Sequence, residues 1–163
     1  MEDRYRYDAS DFATLLLRKF YPERTDRESG VIRDYLQAHL HDFDRVSFSV
    51  RIGTGQQPDP THLEGVQQNT AYSSKKRIDI LGYFGKQPTI VEVKERITPA
   101  ALGQILAYRH LFLEEFPDAP EPLLVIVGRY SDDDTIRVLQ AHGITVYTYT
   151  PIDSTSEPPG GSV

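Results

Sequence analysis

The order of apolar patterns along this 163-residue chain predicts an α/β domain, with a mixed central sheet flanked by helices. Two observations predict it. Segments of helical period, bounded by capping signals, alternate with short apolar runs of strand length. Several of those runs are apolar at successive positions, so their strands need cover on both faces. The chain is long enough to bury one continuous core, and no internal repeat interrupts it, so residues 1–150 read as a single domain.

From about Ser10 to Phe20, the residues Phe12, Leu15, Leu16 and Phe20 recur at helical spacing, and Pro22 ends the segment. Thr25-Asp26-Arg27-Glu28 is a capping-box pattern ahead of a second helix carrying Val31, Ile32, Tyr35, Leu36 and Leu40. Val46, Phe48, Val50 and Ile52 then alternate with Ser47, Ser49 and Arg51, as in a half-buried strand. The stretch from Gly53 to about Ser74 reads as a long polar loop, either functional or disordered. Arg77 to Phe84 and Thr89 to Lys94 are the next strands, joined as an antiparallel hairpin by Gly85-Lys86-Gln87-Pro88. Thr98-Pro99 opens a helix to about Phe116, and Leu123 to Val127 is a short strand. Ser131 with Asp132, Asp133 and Asp134 caps a helix to about His142, and Gly143 leads into a last strand, Ile144 to Tyr149. The tail, 151–163, has the composition of a disordered segment.

Composition narrows the chemistry. With no cysteine there is no disulfide, thiolate ligand or thiol nucleophile, so any metal must bind oxygen or histidine. The net charge of −6 argues against a protein that coats nucleic acid non-specifically, because that affinity comes from Lys and Arg on phosphates. It leaves nucleic acid open as a substrate, since a bound cation changes the field a phosphate meets. No apolar run reaches membrane-span length, and Met1-Glu2-Asp3-Arg4 opens a polar segment unlike a secretory signal. A soluble, cytoplasmic protein with no membrane partner is expected.

Glu92-Val93-Lys94 closes one apolar strand, and Asp79, thirteen residues earlier, lies in the other. About one acid-any-lysine triplet is expected by chance in a chain of this composition, so the setting carries the information. Opposed residues of a hairpin have numbers with a constant total, which places Asp79 opposite Glu92 or Lys94. Strand alternation puts Glu92 and Lys94 on one face, beside Leu81 and Ile90, with Val91 and Val93 on the other. Two carboxylates this close repel unless a cation compensates. Mg²⁺ would do so with one or two carboxylates, waters and substrate phosphate oxygens, and the Val93 carbonyl could add a ligand. Lys94 would then orient the attacking water in a hydrolysis. The bland account is an ordinary cross-strand ion pair.

Asp79, Glu92-Val93-Lys94 and Gln104-Ile105-Leu106-Ala107-Tyr108 together resemble the PD-(D/E)XK nuclease superfamily, especially its RecB-like and NucS-like domains with their Q-x-x-x-Y motif. The resemblance covers roughly Thr25 to Tyr149. The proline of the superfamily's name is missing, and Ile78 stands in its place before Asp79. The resemblance implies a restriction-endonuclease-like αβββαβ core and an Mg- or Mn-dependent nuclease acting on DNA. In it Asp79, Glu92 and the Val93 carbonyl hold the metal, Lys94 positions water, Glu28 is the first-helix acid, and Gln104 and Tyr108 lie beside the substrate strand. Glu28 is also explained by its capping-box position, and Gln104 with Tyr108 by one helix face.

Lys75-Lys76-Arg77, with Tyr72 close by in sequence, is the candidate nucleic-acid contact; a solvated strand edge explains the basic run equally well. His39 and His41 lack a third ligand nearby, His110 reads as structural, and Asp132 to Asp134 suit a helix N-terminus without metal. The competing expectation is a catalytically silent nuclease-fold module for assembly or interaction, as in a phage particle or larger complex. A homodimer or a recruiting partner would supply specificity, and the first helix is a candidate contact surface or a lid on the core.

Overall fold

The computed structural model describes residues 5–57, 60–61 and 63–150. The expected disordered tail lies outside them. The fold is α/β: a six-stranded mixed sheet in sequential order, flanked by helices on both faces. The strands are β1 (Arg6–Asp8), β2 (Arg45–Ile52), β3 (Lys76–Phe84), β4 (Gln87–Val93), β5 (Leu123–Gly128) and β6 (Thr145–Thr148). Strands β1 to β4 pair antiparallel, whereas β4, β5 and β6 pair parallel. The parallel pairs require crossovers, supplied by α4 (Ala100–Glu115) and α5 (Asp133–Ala141).

On one face, Val31, Ile32, Tyr35 and Leu36 of α2 (Asp26–His39) pack on Ile80, Val91, Val93, Val125 and Val127. On the other, Ile105, Tyr108 and Phe112 of α4 and Leu139 of α5 pack on Leu81, Ile90 and Ile126. Thr25 caps α2, its hydroxyl accepting from the Glu28 N–H while the Glu28 carboxylate accepts from Thr25 N–H, as the capping box predicts.

Four expectations need correction. The first helix is short, α1 (Phe12–Leu16) behind a 3-10 turn at Ala9–Asp11; beyond it Arg33 takes the carbonyls of Arg18 and Lys19, turning the chain and leaving Phe20 half exposed. Leu15 is its one buried residue, so it acts as a lid on the α2 side. The Gly53 to Ser74 stretch holds a helix, α3 (Glu64–Ser74), with no buried residue and tied back where Gln56 N–H donates to Ser74 Oγ at 2.7 Å. Asp132, rather than Ser131, caps α5, accepting from Thr135 N–H at 2.8 Å. Lastly, β2 does not keep one face inward: Val46 and Phe48 join the α2 core, but Val50 and Ile52 join the α4 core. The switch falls at Ser49, whose φ of 55° is left-handed. Among the described residues no helix is long and apolar enough to cross a membrane.

Candidate active site on the central hairpin

The β3–β4 turn is Gly85-Lys86, tighter than the four-residue turn expected, with Gly85 at φ 57° and Phe84 matched to Gln87. Matched residues total 171 throughout, and one step beyond the Ile80–Val91 pair brings Asp79 against Glu92. There the ladder gives way to side-chain bonding, with Asp79 Oδ2 accepting from Val93 N–H at 2.7 Å. Asp79 is 3% exposed and Glu92 fully buried. Lys94 Nζ lies 2.5 Å from Glu92 Oε1 with its side chain one-third exposed. Lys94 is thus the one donor against Oε1, and Oε2 is buried without a hydrogen-bond partner.

Sequence reading missed the fourth charged member. Arg24, on the loop between α1 and α2, places Nη1 2.6 Å from Asp79 Oδ1, and its side chain is 5% exposed. Glu23 at φ 56° turns the chain there, Ser49 Oγ donates to Pro22 O at 2.9 Å, and Arg77 Nη1 holds Glu23 at 2.7 Å. The only sequence signal was a basic residue ahead of a capping box, which is unremarkable by itself.

Burial dominates the electrostatics. It pushes the Glu92 carboxyl up to about 8, aided by the Asp79 charge and opposed by Lys94 and Arg24. Asp79 is raised by burial too, against Arg24, the Val93 N–H and Lys94. Asp79 has two direct partners and Glu92 only Lys94, so of the two carboxyls a proton is favoured on Glu92. Tyr108, 5% exposed, rises to about 12 through burial and then the Glu92 charge, and its oxygen accepts from Gln104 Nε2 at 2.6 Å.

The structure therefore gathers Asp79, Glu92, Lys94 and Tyr108, with Gln104 joined to Tyr108. Glu28 commits Oε2 to Thr25, yet its charge still raises Asp79. Arg77 reaches the cluster through Glu23, and Tyr72 lies under Arg51, with Cζ 5.2 Å from the ring centre. Among the described residues Lys75 and Lys76 form no ion pair. His39 and His41 both contact Asp42, and His110 contacts Glu114. A cavity of ≈ 870 Å³ opens at the opposite end of β4 and β5, between Gln87, Thr89, Leu123 and Tyr147. It touches none of the buried carboxylates, so concavity and chemistry point to different places, and the unpartnered charged groups are the better marker of reactivity.

For a divalent cation the fit is selective. Glu92 offers two buried oxygens, one of them held only by Lys94, and each Asp79 oxygen keeps a lone pair beyond its one contact. Among the described residues no group of three or more His, Asp or Glu side chains could hold a metal unaided. Mg²⁺ does not require one, because waters and phosphate oxygens complete its shell. Comparison with known proteins finds no matching family model, curated relative or solved structure.

Proposed function

We propose that this protein is a metal-dependent nuclease of the PD-(D/E)XK type, hydrolysing DNA phosphodiesters at the Asp79–Glu92–Lys94 cluster. The observation that carries the reading is Glu92: fully buried, beside a second carboxylate, with Oε1 against the Lys94 ammonium and Oε2 accepting no hydrogen bond. A structural carboxylate would be matched to donors, so an unmatched one marks a ligand position. The element order α2, β2, β3, β4, α4, β5 supports a restriction-endonuclease-like core.

Asp79, Glu92 and the Val93 carbonyl would hold Mg²⁺ or Mn²⁺, which supplies Lewis-acid stabilisation of the charge that builds at phosphorus. Lys94, partly exposed, reaches solvent where a water can enter; its charge orients that water and favours hydroxide. The water oxygen bonds to phosphorus as the ester bond to the leaving oxygen breaks, and a proton passes to that oxygen. Gln104 and Tyr108 would form the neighbouring wall for the substrate strand, and Lys75, Lys76, Arg77 and Tyr72 would add charge and a ring as nucleic-acid contacts. Purified protein should cut plasmid or single-stranded DNA with Mg²⁺ or Mn²⁺, and Asp79→Ala, Glu92→Ala and Lys94→Ala should each abolish cutting. Equal inactivity of wild type and variants on DNA and RNA would sink the enzyme reading.

One observation favours a second reading, a catalytically silent interaction module. Arg24 already neutralises Asp79, so the hairpin is stable in charge without a cation. Calorimetry separates the two: millimolar Mg²⁺ or Mn²⁺ should raise the melting temperature of a true metal site by mass action. An unchanged melting temperature would favour the silent module.

A further inference from the structure

Arg24 does more than a counter-ion needs. One nitrogen, Nη1, meets Asp79, while Nε and Nη2 are buried and have no hydrogen-bond partner. Those two nitrogens form the side edge of the guanidinium, a planar fork whose spacing matches two oxygens of a phosphate. A lysine would also neutralise Asp79 but has no planar fork to offer a second ligand.

The surrounding backbone is arranged to hold this group. Of the two non-glycine residues of left-handed φ among the described residues, Glu23 directly precedes Arg24 in the loop and Ser49, on β2, bonds that loop at Pro22. Strained backbone persists only where its surroundings enforce it. Here Ser49 Oγ holds Pro22 O, Arg77 and Arg51 hold Glu23 at 2.7 and 3.4 Å, and Tyr21 N–H donates to Ser29 Oγ at 3.2 Å. The three residues that lead into Arg24, Tyr21 to Glu23, are therefore pinned to α2, β2 and β3. Arg24 is also close enough to oppose the upward shift of both Glu92 and Tyr108. Unmatched donors on Arg24 and the unmatched Oε2 of Glu92 thus share one cluster without meeting. A ligand that fills both needs anionic oxygens at one end and a cation or proton at the other.

We propose that Arg24 is a substrate-binding residue that grips one phosphate of a nucleic-acid strand side-on through Nε and Nη2, while Nη1 stays on Asp79. The nature of the substrate rests on the nuclease reading; the anion subsite itself needs no metal. Lys94 is the partly exposed member of the cluster.

The test measures binding of a fluorescent single-stranded oligothymidylate to the full chain in EDTA, by anisotropy, across a salt series. Arg24→Lys keeps the charge and the Asp79 ion pair but loses the fork. It should bind roughly tenfold more weakly or worse, with the salt slope of wild type. Arg24→Gln should lower that slope by about 0.7, one phosphate contact on a single strand. A merely structural arginine would move neither readout in a variant that melts normally. Wild type failing to bind at low salt, or both variants binding with wild-type affinity and slope, would overturn the proposal. If Arg24→Gln does not fold, Arg24→Lys decides alone. The nuclease reading fails separately, by absence of cutting with Mg²⁺, and that result leaves binding in EDTA untouched.

Discussion

Removing the charge of Glu92 should stabilise the folded protein, by an amount that grows with pH. Burial, then the Asp79 charge, raises this carboxyl from 4.5 to about 8. The folded state thus holds the proton more tightly than the unfolded chain does. Below pH 4.5 both states keep it and stability is unaffected. Between 4.5 and about 8 the unfolded chain releases it freely, so folding stability falls by about 1.4 kcal/mol per pH unit. Above about 8 the loss is complete and the curve levels. The accumulated loss is on the order of 3 kcal/mol at pH 7, and under about 1 kcal/mol at pH 5.

Glu92→Gln preserves shape and never ionises. Its advantage over wild type should therefore be small at pH 5, approach that figure at pH 7 and flatten above about pH 8. Lys94 and Arg24 lose an opposite charge in the variant, which works against the gain and makes the figure an upper bound. Urea denaturation of both proteins from pH 5 to 9 measures it. A pH-independent difference, or one that shrinks as pH rises, would refute the assignment of the proton to Glu92. Millimolar Mg²⁺ should narrow the difference, because a cation binds the carboxylate form and releases the proton.

Thr25→Ala removes the hydroxyl that accepts from Glu28 N–H and donates to its carboxylate, and should cost about 1 kcal/mol in chemical denaturation. Gly55→Ala places a methyl 2.1 Å from the Ala71 carbonyl at a φ of +75°. It should destabilise by more than about 1 kcal/mol and speed hydrogen exchange across Glu64–Ser74. Tyr108→Phe leaves the half-buried Gln104 free to bond water, so it should cost at most about 1 kcal/mol in stability. In a DNA-cutting assay the same variant should lose activity well beyond that, if the Gln104–Tyr108 wall meets substrate.

The hairpin was legible because its turn chemistry and alternation are local: Gly85-Lys86 fixes the register, and the register alone brings Asp79 to Glu92. The second helix was legible through its capping box. Helix α3 was not, because its formation leaves no apolar stripe in the sequence: Val66 and Tyr72 are about half exposed and nothing in it is buried. The face switch of β2 hid for the opposite reason. Val46, Phe48, Val50 and Ile52 alternate without a flaw, yet the last two join the other core, with the left-handed backbone of Ser49 between the two pairs.

Arg24 shows where local reading ends. Its role depends on a loop held from three separate elements, by Ser29 on α2, Ser49 and Arg51 on β2, and Arg77 on β3, none of which marks it in sequence. Yet the need for such a group follows from the hairpin. Two carboxylates forced together on an apolar sheet face require positive charge, and one partly exposed lysine cannot serve both. The fold meets that need at Asp79 and leaves Glu92 to a proton. In the proposed nuclease a cation would displace that proton below about pH 8, and the same low-dielectric setting that raises the Glu92 pKa would strengthen every charge contact a phosphate makes there.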